Sequence, residues 1–167
     1  MYPSETYTSS NKKGKYLFIL IFTIIISTNY SALSVPADTI EVIAKYPETG
    51  KNSIYQINFI VSKAIHPRAG FRVTFSDGFD LSDLLIAGST TINGGFDLSV
   101  EKQVVIIKRS GLGREIPANE KVDIKFAIVK NPREPRDDYK IVVEILDETE
   151  KSIVKQEKLL KVLPQKQ

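Results

Sequence analysis

The stretch Phe71-Arg72-Val73-Thr74-Phe75-Ser76-Asp77-Gly78-Phe79 decides how this chain is read. Phe71, Val73 and Phe75 alternate with Arg72 and Thr74, a period of two that sends apolar side chains to one face of an extended strand and polar ones to the other. Ser76-Asp77-Gly78 then ends the run, because short polar side chains close local turns and glycine takes positive φ at no steric cost. The same pattern continues in both directions. Upstream, Ile40 to Ala44 forms a strand closed by Tyr46-Pro47-Glu48-Thr49-Gly50. Ile54 to Val61 follows, with Tyr55, Ile57, Phe59 and Val61 on one face and Gln56 and Asn58 on the other. His66-Pro67-Arg68-Ala69-Gly70 is a turn-rich connection.

Downstream, Asp80 to Ala87 reads as a loop carrying one helical turn capped by Asp80 or Ser82. Thr90 to Ile92 and Phe96 to Val100 flank Asn93-Gly94-Gly95, the signature of a tight hairpin. Val104 to Ile107 is continuously apolar, as a mid-sheet strand covered on both sides would be, and Ser110-Gly111-Leu112-Gly113 returns the chain to the surface. Val122, Ile124, Phe126 and Ile128 make one further alternating strand, stopped by Asn131-Pro132 with Pro135 behind it. Tyr139, Ile141, Val143 and Ile145 make another, before the turn Asp147-Glu148-Thr149-Glu150. In Ser152 to Val162, the spacing of Ile153, Gln156 and Leu160 suits a helix, while Val154 and the preceding hairpin signal suit a strand; strand is the reading adopted. Seven to nine short strands without a long helix specify an all-β fold, an immunoglobulin-like two-sheet antiparallel sandwich. Cysteine and tryptophan are absent, so the antibody-type pin of Cys, Trp and Cys is missing and no disulfide staples the core.

The first 34 residues are of a different kind. Residues 16–26 are apolar apart from Thr23, follow Lys12, Lys13 and Lys15, and precede small residues, the order of an export signal in a hydrophobic leader helix. A span of a hydrocarbon core needs about 20 apolar residues, so a cleaved signal is favoured over a membrane anchor. Ala32 and Ser34 place cleavage after Ser34, giving a leader over 1–34 and a sandwich domain over 35–167. Retention of the leader would instead make it the chain's one membrane contact. The leader holds three lysines and one glutamate, so the remainder carries a net +1 against +3 for the whole chain. That charge gives no reason to seek nucleic acid, whose nonspecific binding is driven by many cations releasing counterions.

The residues that carry chemistry are sparse. His66 is the one histidine, sits beside Pro67 in a turn, and has no nucleophile motif to accompany it. No catalytic residue and no cofactor is expected. Asp77, Asp80 and Asp83 are candidate calcium carboxylates, although their spacing of three fits no EF-hand loop and solvated loop carboxylates is the better reading. Ser110 to Arg114 lacks the glycine pattern and following helix of a phosphate loop. The lysines of the tail, diluted by Glu148, Glu150 and Glu157, suit a solvated edge strand. A carbohydrate-binding module would present a few aromatic rings, for which Tyr46, Phe79, Phe96 and Tyr139 are the candidates.

The order of phrases Ser53-Ile54-Tyr55-Gln56-Ile57-Asn58-Phe59, Phe71 to Phe79, Val129-Lys130-Asn131-Pro132 and Tyr139 to Glu144 resembles that of Ig-like sandwich modules found, often in tandem, in large bacterial and archaeal surface proteins. The resemblance covers roughly residues 39 to 146, with Ser76 where those modules usually carry proline. It implies a spacer or adhesion role outside the membrane, with a protein or cell-surface polymer as partner and no catalytic residue to carry over. Beside this non-enzymatic structural, adhesion or binding module stand two alternatives: a carbohydrate-binding module, and a subunit of an extracellular assembly pairing through the edge strand Ser152 to Val162.

Overall fold

The alternation resolves into β-strands in the computed structural model, which describes residues 38–165. The apolar run 16–26 and the cleavage point after Ser34 lie outside the described residues. The strands are β1 (Thr39–Ala44), β2 (Asn52–Ile60), β3 (Gly70–Phe75), β4 (Ile86–Gly88), β5 (Phe96–Glu101), β6 (Val104–Arg109), β7 (Lys121–Lys130), β8 (Arg136–Leu146) and β9 (Ser152–Val162). They form two antiparallel sheets, one of order β1-β2-β7-β4 and one of order β5-β6-β3-β8-β9. The expected sandwich is what forms.

Period two decides what lies between the sheets. Tyr55, Ile57 and Phe59 of β2 and Val122, Ile124 and Phe126 of β7 face Phe71, Val73 and Phe75 of β3, Val105 and Ile107 of β6, and Ile141, Val143 and Ile145 of β8. All of these are buried, and such side chains contribute about 1.5–3 kcal/mol each on leaving water. Along one side β1 and β9 close the sandwich: Gln156 Nε2 donates to the Asp38 carbonyl at 2.6 Å, and the Leu163 amide donates to the Pro47 carbonyl at 2.8 Å.

Four expectations need correction. The hairpin about Asn93-Gly94-Gly95 does not form; those residues carry the chain from β4 in one sheet to β5 in the other. Ile92 plunges into the core, and Gly94 does adopt φ +92°, but to allow close approach. A Cβ on Gly94 would stand 2.8 Å from the Gly113 nitrogen, and one on Gly113 would stand 2.2 Å from the Asn93 carbonyl oxygen. The tight hairpin is β5–β6, which turns at Lys102 with φ 55°. Second, Asp80 to Ala87 holds no helical turn: the Leu84 amide donates to the Leu81 carbonyl at 3.1 Å in a single reverse turn, and the chain then adds the short strand β4 to the edge of β7.

Third, Ile128 does not continue the buried face of β7. The register skips from Tyr55↔Phe126 to Ser53↔Val129, so β7 carries one residue more than β2 there. Such a bulge flips the alternation. Val129 is buried in place of Ile128, which is 41% exposed. Fourth, β6 lies inside its sheet as expected, between β5 and β3, yet it is covered on one side alone, with Val104 and Ile106 half-buried on the outer face.

Ser152 to Val162 is a strand, and it buries Val154, Leu160 and Val162. Three such side chains amount to about 5–9 kcal/mol of burial, against a total stability of about 5–15 kcal/mol for a domain. Its removal therefore opens the core and does more than expose an edge. Deleting residues 152–167 is expected to abolish the cooperative thermal melt followed by circular dichroism; a melt retained within a few degrees of the parent would show that β9 is dispensable.

Candidate functional site

The residues singled out in the sequence do not assemble into a chemical centre. His66 is exposed, and its Nδ1 accepts the Arg68 backbone N–H at 3.2 Å, a local turn contact. Asp77, Asp80 and Asp83 are exposed and do not converge: among the described residues no three acidic, histidine or cysteine side chains form a group able to hold a metal ion. Asp80 is instead occupied locally, its Oδ1 accepting the Ser82 hydroxyl at 2.7 Å and the Ser82 N–H at 3.0 Å, which holds its pKa below the ordinary value. The four candidate aromatics also separate. Phe79 and Tyr139 are core residues, in edge-on contact at 5.3 Å between ring centres, and Phe96 is half-buried. Tyr46 alone of the four is substantially exposed, at 46%, with the Lys45 ammonium over its ring. A flat stacking platform needs rings on the surface, so this set does not make one.

Three buried polar side chains hold the loops, of which the sequence reading marks Asn131 as a strand stop and does not single out Arg109 or Asp123. Asn131, directly after β7, is 2% exposed. Its Oδ1 accepts the Tyr55 hydroxyl at 2.7 Å, and its Nδ2 donates to the carbonyls of Tyr46 at 2.7 Å and Glu48 at 2.9 Å. The Asn-Pro phrase thus ties the first turn of the chain to the core. Arg109, at the end of β6, is 5% exposed and has no carboxylate; its guanidinium donates to the carbonyls of Ile65, His66 and Arg114. Burial lowers its pKa, yet guanidinium stays charged at any ordinary pH. The cation fastens two loops.

Asp123 is the third. It stands on β7 where the alternation calls for an outward residue, and it is buried because Ser89-Thr90-Thr91 folds over it. Its Oδ1 accepts the Thr90 hydroxyl at 2.7 Å, the Thr91 hydroxyl at 2.9 Å and the Thr90 N–H at 3.0 Å, while Lys125 Nζ lies 3.3 Å from Oδ2. Desolvation raises its pKa, but the hydrogen bonds from Thr90 and Thr91 together with the nearby Lys125 ammonium outweigh that and hold it at about 2. The sequence shows Ser89-Thr90-Thr91 as three consecutive hydroxyl-bearing residues, but not that they meet Asp123.

With the polar interior committed to the fold, what remains for binding is surface. Several large apolar side chains are exposed: Leu85 (80%) and Ile86 (67%) at the β4 edge, Ile128 (41%) on β7 and Ile43 (40%) on β1, with Leu112 (88%) and Leu159 (64%) elsewhere on the surface. Ile86 sits opposite Ala127 in the β4–β7 ladder, and beside them opens a shallow groove of about 470 Å³ bordered by Ile54, Ile86, Ala127 and Lys125. Apolar exposure beside a groove is a feature of interaction surfaces.

The chain matches no protein-family profile and no curated relative. Among solved structures it is similar to a cohesin module from a family 33 glycoside hydrolase of Clostridium perfringens, at 15% identity and a TM-score of 0.54, over 78% of this chain and 98% of that one. It is also similar to the major pilin SpaD of Corynebacterium diphtheriae (12% identity, TM-score 0.49, 72% of this chain and 33% of that one) and to the major pilin subunit BcpA of Bacillus cereus (14% identity, TM-score 0.46, 76% and 40%). The likeness to the cohesin module is one of fold, and it agrees with the Ig-like sandwich resemblance read from the sequence.

The Asp123 cluster makes a pH-dependent contribution whose sign is fixed. A carboxyl that titrates at about 2 when folded and at 3.8 when free stabilises the fold by about 2 kcal/mol at neutral pH. That contribution is complete above the free value and is lost as pH falls through about 2. In urea unfolding across a pH series, the stability gap between the parent and Asp123→Asn should therefore narrow by about 2 kcal/mol between pH 5 and pH 2. A gap independent of pH would contradict the role assigned to this carboxylate.

Proposed function

We propose that this chain is exported, with residues 1–34 as its leader, and that residues 35–167 work outside the cytoplasmic membrane as a non-enzymatic structural or binding module whose partner is a protein. One observation carries the reading. The buried polar side chains Asn131, Arg109 and Asp123 are consumed in fastening loops, while large apolar side chains stand exposed at the surface, among them Leu85 and Ile86 at the β4 edge. Catalysis needs a converging acid, base or nucleophile; a binding module needs a displayed surface. The shared fold with a module of a larger protein supports the same role.

The lysine-bearing leader and the small residues at Ala32 and Ser34 support export. Fractionation of producing cells, followed by mass spectrometry of the N-terminus, is expected to find the mature chain starting at Val35 outside the cytoplasm. An intact chain in the soluble cytoplasmic fraction would overturn export, and an intact leader in the membrane fraction would replace the released module by an anchored one. The surface half of the reading has its own check. Replacing both Leu85 and Ile86 by serine should leave stability within about 0.5 kcal/mol of the parent, as exposed positions do, while lowering retention of the module in its assembly on size-exclusion chromatography of the extracellular fraction.

A further inference from the structure

The sandwich has four edge strands, β1, β4, β5 and β9. Three carry the features by which natural sheets avoid taking on further strands. β1 is bridged at its start to β9 through the Asp38 carbonyl, and β4 is three residues long. β9 breaks register with β8 at both ends and carries a half-buried lysine, Lys158, on its inward face. β5 has none of these. Its ladder with β6 runs unbroken from Phe96↔Arg109 to Glu101↔Val104, and it contains no proline and no inward charge.

The β5 edge is also incompletely covered. Its inward side chains Phe96, Leu98 and Val100 are half-buried, whereas Val105 and Ile107, directly opposite Val100 and Leu98, are fully buried. Beside the strand lies a groove of about 570 Å³, with Leu98, Ser99 and Val100 on one wall and Leu81, Ser82 and Leu84 on the other. Phe-Asp-Leu-Ser occurs twice in the chain, at 79–82 and 96–99, and the Leu-Ser of each copy lines one wall. Gln103 also borders the groove. Its Nε2 donates to the Phe79 carbonyl at 3.1 Å. Exposed acids predominate: the loop carries Asp80 and Asp83 and the strand Asp97 and Glu101, against Lys102 at the turn, Lys108 opposite Asp97 in the β5–β6 ladder and Lys130 in a bridge with Asp80.

We propose that the β5 edge is a strand-acceptor site for an extended, basic segment of a partner protein. The segment's backbone pairs with Asp97 to Glu101 and continues the sheet, its alternate apolar side chains fill the groove against Leu81, Leu84, Leu98 and Val100, and the lysines or arginines between them meet Asp97 and Glu101. Main-chain hydrogen bonds supply affinity in this mode and the alternating side chains supply selectivity. Self-pairing of β5 with a second copy would oppose these carboxylates to their own equivalents.

Residues 35–167 contain every described strand and the whole core, so this portion serves for the test. Fluorescein-labelled Lys-Val-Lys-Val-Lys-Val-Lys and its Glu-Val counterpart are titrated by fluorescence anisotropy. The lysine peptide is expected to bind at least tenfold more tightly than the glutamate peptide, and D97K/E101K, checked for a retained cooperative melt, is expected to reverse that preference. Absence of binding, equal binding of the two peptides, or a preference unchanged in D97K/E101K would overturn the proposal. Ser99→Cys, in a chain without cysteine, tests the rival occupant: a disulfide-linked dimer formed through β5 under mild oxidation would assign the edge to a second copy and overturn it as well.

Discussion

The hydrogen bond from the Tyr55 hydroxyl to Asn131 is the pin on which this sandwich turns. Without a disulfide the two sheets are held by packing, and the centre of that packing is aromatic: the Tyr55 ring stacks on Phe126 at 6.0 Å and meets Phe75 and Phe79 edge-on at 5.4 and 6.2 Å. A phenol in such a place must have a partner, because an unmet buried hydroxyl costs about 1–3 kcal/mol. Asn131 provides it and, in the same plane, holds the carbonyls of Tyr46 and Glu48. Burial pushes the Tyr55 pKa well up, so the hydroxyl remains a donor at any working pH. One side-chain amide thereby connects β2, the end of β7 and the first turn of the domain.

Much of this was legible as pattern. The alternation in Phe71 to Phe75, Tyr55 to Val61 and Tyr139 to Ile145 places those residues in the core, since a half-buried strand leaves no other arrangement of period two. What the pattern does not carry is the destination of a connection. Asn93-Gly94-Gly95 has the composition of a hairpin, and its positive φ is real, yet the residues that decide its use are distant ones: Gly113, which the loop abuts, and Asp123, which Thr90 and Thr91 cap. Ile128 fails for a similar reason, since a bulge is a property of two paired strands and is invisible in either one. The candidate aromatics show the same limit. Phe79 and Tyr139 read as displayable rings because they flank turns, and they are buried because those turns fold inward over Tyr55.

The polar interior and the bare surface are two sides of one economy. Asn131, Arg109 and Asp123 hold loops whose ends lie far apart in sequence, work that cysteines do in many small disulfide-bonded domains. These side chains are therefore not free for chemistry. What the chain displays includes the exposed Leu85 and Ile86 at the β4 edge, and an edge at β5 lacking the protections found on the other three. A sandwich whose core is self-sufficient can offer both without losing its shape.

The pin itself is open to direct measurement by a double-mutant cycle of Tyr55→Phe and Asn131→Ala, with stabilities from urea unfolding at neutral pH. If the hydroxyl and the amide act as a buried pair, each single change is costly and the second adds little after the first, giving a coupling of about 1–3 kcal/mol. Additive effects, with a coupling near zero, would mean that the loops and the core are held independently and would contradict the account given for this fold.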